Sequence, residues 1–355
     1  MSNINDYLLW RGDLRIDEEH PFNEIDSMIM ARLSYLIFHK IDLKATNTIE
    51  ELSSKMSKYD DPEFNYLGDR DLIVNLGKSK RFKDMIVSNY IHTEDLENEK
   101  QFCSITIHIS YDEMYISYEG TDKTINGWKE DFNLAFLENI PAQLEGVKYL
   151  EEVANEYNYK KIRLGGHSKG GNIAIYSALY APEQIKNRII KVDNFDGPGM
   201  SSSIIKANDG NIVADKIDTY IPQDSVIGRL LEHKKPAIVV FSTAKGIYQH
   251  DIYSWQVLRD NVVHAADGLT QKSDRVNVAV EEWLKGTSPE QRKMCIDSIY
   301  ELLSENEITS TIDLQSTLIR KTPLLIKTYK GIPEEDRKTI IENAKVFIKS
   351  LIKGA

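Results

Sequence analysis

Ser168 stands in the stretch "LGGHSKGGN", residues 164–172, with glycines at positions 165, 166, 170 and 171. Gly166-His167-Ser168-Lys169-Gly170 fits the pattern G-x-S-x-G, in which a serine occupies a sharp strand-to-helix turn and glycines leave room where the two elements pass. Such a turn is strained, and it lifts the hydroxyl to a helix N-terminus, where free N–H groups and the helix dipole favour developing negative charge. The chemistry it suits is nucleophilic attack on an acyl carbon. A glycine-rich turn can also be a plain connection, so the weight comes from context: strand-like "KIRLGG" precedes the serine and helical "NIAIYSALYA" follows it.

A hydroxyl is a weak nucleophile at neutral pH, and it needs a histidine base oriented by a carboxylate. In α/β-hydrolases the acid and then the histidine follow the serine, each in a loop after a later strand. Asp224, in "PQDSVIG" after strand-like "KIDTYI", and His250, in "TAKGIYQHDIYSW" after "AIVVFS", fit that order. Asp196, in "NFDGPG", also ends a strand and is the second candidate for the acid. Asp218 falls inside a strand pattern, and Asp251 adjoins the histidine too closely to brace it. Of the other histidines, His167 is expected to pack under the turn, His233 to lie on the surface and His264 to fall in a helix or linker. His20, His39, His92 and His108 precede the serine, against the order. An oxyanion needs donors, and the N–H groups of Lys169 and of Thr121, just past strand-like "EMYISYEG", are the candidates. Taken alone, Gly120-Thr121 reads better as an ordinary N-capping turn.

Strand and helix signals alternate through the middle of the chain, which predicts an α/β fold with a mostly parallel central sheet. "FCSITIHIS" and "EMYISYEG" read as consecutive strands, a helix runs from about Ala142 to Glu156, and "RIIKVDNFDG", "KIDTYIP" and "AIVVFS" supply later strands. Before them lies an N-terminal helical part, residues 1–85, with a capping box at Thr48-Ile49-Glu50-Glu51. After about Ala265, helix starts at Ser288-Pro289 and Pro333-Glu334 predict a C-terminal helical bundle, so the expected division is 1–264 and 265–355.

The 355 residues are 41% hydrophobic, enough for a large core. Lys and Arg number 44 against 55 Asp and Glu, a net charge of −11, which argues against a nucleic-acid partner. The opening residues show no basic, then apolar, leader, and no run approaches the roughly 20 apolar residues of a membrane span, so a cytoplasmic protein is expected. Cys103 and Cys295 read as reduced core thiols, and the eight histidines lack metal-ligand spacing. No metal or other cofactor is expected, and the partner is a small-molecule or lipid ester.

With these stretches in view, the chain resembles the class 3 lipase branch of the α/β-hydrolases, and more closely the lipase-like Mbeg1-like family. "YISYEGTDKTINGWKEDF" is similar to the lipase oxyanion and lid segment, with Thr121, Trp128 and Asp131 at its marked positions. "GGHSKGGNIA" resembles the lipase elbow, "DNFDGPG" the next strand and turn, "IPQDSVIG" the loop of the triad aspartate, and "YQHDIYSW" the histidine loop. The opening "DYLLWRGDLRIDEEHPFNEIDSMIMARLSYLIF" points to the Mbeg1-like group. The resemblance implies a serine hydrolase that cleaves carboxylic esters through an acyl-enzyme, with residues 121–128 as a lid. An acyltransferase or thioesterase would use the same residues, and a non-catalytic scaffold would retain only the fold. Glu119 and Lys169 depart from the lipase arginine and leucine, and an ammonium beside the acyl site suits a substrate with an anionic or polar head.

Overall fold

Asparagines open the first two helices. Asn3 caps α1 (Ile4–Arg11) and Asn23 caps α2 (Glu24–Leu33), each accepting two backbone N–H groups while Asp6 or Asp26 reaches back to the cap. The predicted capping box at Thr48 and Glu51 opens α3 (Ile49–Met56), and α4 (Asp69–Lys78) follows. Their apolar residues, among them Ile25, Met28, Ile29, Leu52, Leu72 and Leu76, join one buried cluster with Ile105, Tyr115, Phe195 and Trp255. The computed structural model describes residues 2–95, 99–121, 130, 133–134, 137–294 and 297. Trp128, Asp131, Cys295, the lid positions after Thr121 and the helix start at Pro333 lie outside the described residues.

Among the described residues, eight strands form the sheet in chain order: β1 (Thr46–Thr48), β2 (Ile86–Asp95), β3 (Lys100–His108), β4 (Glu113–Tyr118), β5 (Lys161–His167), β6 (Ile189–Phe195), β7 (Ile217–Pro222) and β8 (Ile238–Val240). β1 with β2 and β3 with β4 pair antiparallel, and every pair from β4 to β8 is parallel. Parallel neighbours require crossovers. α5 (Pro141–Glu156) joins β4 to β5, α6 (Lys169–Tyr180) with the short α7 (Glu183–Lys186) joins β5 to β6, and α8 (Ser202–Ala207) lies between β6 and β7. The loops after β5, β6 and β7 therefore leave the same edge of the sheet, where α/β proteins place their sites.

Residues 1–93, 102–120 and 142–270 form one unit, and residues 94–101, 121–141 and 271–355 a second. Within the second unit, Gln101 N donates to the Glu130 carboxylate at 3.2 Å, Asn133 donates to Glu99 at 2.7 Å, and α9 (Gln271–Gly286) is its long described helix. Within the first unit the chain's opening residues clasp a late hairpin, β9 (Val257–Leu258) and β10 (Asn261–Val262). Val257 N donates to Ser2 O at 3.0 Å, Asn3 Nδ2 to Tyr253 O at 3.1 Å, and Arg11 pairs with Asp260 at 3.1 Å. No helix among the described residues is long and apolar enough to cross a membrane.

Candidate active site

β5 ends beside β6, with Gly166 opposite Asn194 and His167 opposite Phe195. Ser168 comes next and takes φ 58° and ψ −132°, a conformation that a side-chain-bearing residue adopts at a cost of about 1–3 kcal/mol. Its N–H donates to Phe195 O at 2.9 Å, and its own carbonyl accepts from Gly171 N at 2.9 Å as α6 begins. A Cβ on Gly166 would lie 2.3 Å from the Gly170 carbonyl carbon, and one on Gly170 would lie 2.1 Å from Tyr118 O. No side chain fits where strand and helix pass, which is the physical content of the pattern read from the sequence.

Asp196 follows β6 at once, with φ 51° and its N–H donating to Tyr220 O at 2.8 Å. The carboxylate is 1% exposed. Its Oδ2 accepts from His250 Nδ1 at 2.6 Å, while Oδ1 accepts from Ser225 Oγ at 2.5 Å and Gly228 N at 3.1 Å. With Nδ1–H committed to the carboxylate, the neutral imidazole keeps Nε2 as its basic nitrogen. Ser168 and Asp196 thus leave adjacent strands at the same level, and the loop after β8 brings His250 to Asp196.

Asp224, the expected acid, does not stand at the imidazole. Its Oδ2 accepts from Gly246 N at 2.9 Å and Gln249 Nε2 at 3.3 Å, its Oδ1 from Thr270 Oγ1 at 2.6 Å, and its N–H donates to Gln249 Oε1 at 2.8 Å. It ties down the short 3-10 turn Gly246–His250 that carries the histidine. The physical reason is sheet order: β6 is the direct neighbour of β5, whereas β7 lies one strand further away. A signal was present in "NFDGPG", since an aspartate with positive φ immediately before Gly197 marks a tight turn at the strand end.

The other candidates sort as follows. His167 is 1% exposed and does more than pack under the turn, because its Nε2 donates to His250 O at 2.8 Å and the two rings lie 4.5 Å apart. Burial, and then the neighbouring His250 and Arg32, hold its pKa well below the usual imidazole value, so it is neutral. His233 is half-buried, not on the surface, with Nε2 on Gly228 O at 2.7 Å. His264 forms an isolated bridge with Val240, and Asp218 lies in β7 as read, paired with Lys191 and Lys235. Lys169 opens α6 with its side chain 1% exposed, and Thr121 is buried one residue past Gly120. Among the described residues no group of His, Cys, Asp and Glu could hold a metal. Tyr35, which nothing in its apolar context "LSYLIF" marks in the sequence, donates its hydroxyl to His167 O at 2.9 Å.

A family model described as Mbeg1-like matches residues 76–301. No curated protein matches the chain. Among solved structures it is similar to the Lip2 lipase from Yarrowia lipolytica, at 13% identity over 72% of this chain and 87% of that one, with a TM-score of 0.38. It is also similar to M37 lipase, at 17% identity over 57% and 69% with a TM-score of 0.39, and to the lipase in the Rhizomucor miehei propeptide complex, at 16% over 46% and 58% with a TM-score of 0.33. The mostly parallel sheet, its helical crossovers and the elbow make the architecture an α/β-hydrolase fold, as the sequence predicts.

Proposed function

We propose that this chain, which belongs to the Mbeg1-like family, is a serine hydrolase cleaving carboxylic esters, with Ser168 as nucleophile, His250 as base and Asp196 as the orienting acid. The observation that carries the reading is the 2.6 Å bond from His250 Nδ1 to a buried Asp196 carboxylate just past the strand next to the elbow. Ser168 Oγ attacks the acyl carbon and His250 Nε2 takes the hydroxyl proton; Asp196 stabilises the imidazolium that results. The imidazolium then returns the proton to the departing alcohol, and water releases the acyl group by the same steps in reverse. The N–H of Lys169, at the start of α6 and directly after the nucleophile, is an oxyanion donor.

A fluorophosphonate probe tests the nucleophile. Wild-type protein is expected to label and Ser168→Ala to remain unlabelled; equal labelling of the two overturns the assignment. A panel of p-nitrophenyl esters tests the substrate class, with turnover expected in wild type and lost in Ser168→Ala.

A further inference from the structure

Tyr35 lies just past α2 in the N-terminal helical part, is 1% exposed, and its hydroxyl sits where three parts of the site meet. It donates to His167 O at 2.9 Å, the carbonyl of the residue before Ser168. Gly120, which precedes the oxyanion candidate Thr121, packs against the same hydroxyl, since a Cβ on Gly120 would lie 2.1 Å from it. His167 Nδ1 lies 3.3 Å from it on the side away from Nε2, which donates to His250 O. The ring is fixed in turn: the Arg32 guanidinium lies 4.3 Å from its centroid, and Tyr66 meets it edge-on at 5.9 Å. Arg32 is bidentate to Asp69 at 2.8 and 3.0 Å, and Asp69 also accepts from Tyr253 OH at 2.8 Å, three residues after His250.

We propose that Tyr35 is a positioning residue that locks the end of β4, the elbow and the His250 loop into one geometry, so that the N-terminal helical part helps to build the site. This rests on the hydrolase reading above. Hydrogen-bonded supports of this kind hold reacting groups to within fractions of an ångström, and a 1 Å displacement costs on the order of 10²-fold in rate.

Tyr35→Phe removes the hydroxyl and keeps the ring stacked on Arg32. Fluorophosphonate labelling of Ser168 is expected to slow roughly 10- to 100-fold, and kcat on p-nitrophenyl butyrate to fall with KM within about twofold, while the thermal midpoint moves by no more than about 5 °C. His167→Ala is expected to behave alike, and His167→Gln, which keeps an N–H donor, to recover most of the rate. The second readout does not depend on catalysis: the downfield proton resonance of His250 Nδ1 in the full chain is expected to shift or broaden in Tyr35→Phe. Wild-type labelling and an unmoved resonance in Tyr35→Phe overturn the proposal. If wild-type protein fails to label at Ser168 while the resonance still moves, the hydrolase reading falls and the positioning role stands.

Discussion

The N-terminal helical part and the carboxyl edge of the sheet both bury aspartates, and they surround them differently. Asp69 is met by Nε and Nη2 of Arg32, by Tyr253 OH and by Tyr66 N at 3.0 Å. Asp26 is met by Arg81, by Tyr7 OH at 2.8 Å and by Asn23 N at 3.0 Å. Both face a cation that never gives up its proton. Asp196 is as deeply buried, yet its partners are a hydroxyl, a backbone N–H and an imidazole. An arginine pair fixes a shape; an imidazole pair leaves a proton free to move, and only the second arrangement can serve acid–base chemistry.

The largest expected effect separates the two classes. Asp196→Asn is expected to lower ester turnover by about 10³–10⁴-fold, because the imidazole loses the partner that sets its tautomer, while leaving the denaturant midpoint near the wild-type value. Asp69→Asn strands a buried guanidinium and is expected to cost about 3–5 kcal/mol in urea unfolding. If Asp69→Asn left stability intact, the distinction between the two regions would fail.

Asp193 sharpens it from within β6, three residues before Asp196. One oxygen accepts from Ser27 Oγ at 2.6 Å, whereas the other has only Lys191 Nζ at 3.9 Å. Burial pushes its pKa up to about 6. The folded state therefore binds this proton more tightly than the unfolded chain, whose aspartates titrate near pH 4, and stability from this group is full below about pH 4 and lost as pH rises to about 6. The loss is expected to approach 3 kcal/mol, and Asp193→Asn is expected to flatten that part of the profile; an unchanged slope would count against it. The smallest effect belongs to Asp224→Asn, which weakens supports of the histidine loop worth about 1 kcal/mol each and is expected to reduce turnover by less than about tenfold. Were its loss to match that of Asp196→Asn, the assignment of the acid would be reversed.

Strands β3 to β8 with α5 and α6 were legible because alternating and continuous apolar runs are bounded by turn residues. β1 and β2 were not. β1 is three residues long, and β2, "IVSNYIHTED", mixes polar residues into a half-exposed strand whose pairing, not its composition, makes it extended. At the proposed site, the serine, its glycines and His250 are read from local pattern and chain order. The choice between Asp196 and Asp224 depends on which strand lies beside β5, and the role of Tyr35 depends on a contact spanning 132 positions, neither of which local pattern encodes.

The clasp between the opening residues and the β9–β10 hairpin has a consequence for the order in which the molecule assembles. Sheet neighbours are consecutive in the chain, so each pairing closes a comparatively short loop, whereas the bond from Ser2 Oγ to Val257 O spans 255 positions. Closing so long a loop is entropically the dearest step and comes after the local pairings that reward the chain sooner. The segment that carries His250 is anchored at Tyr253 and Val257 by that clasp. During refolding, strand content should therefore return ahead of the ability to react with a phosphonate, and the lag between the two measures how late the histidine reaches its place.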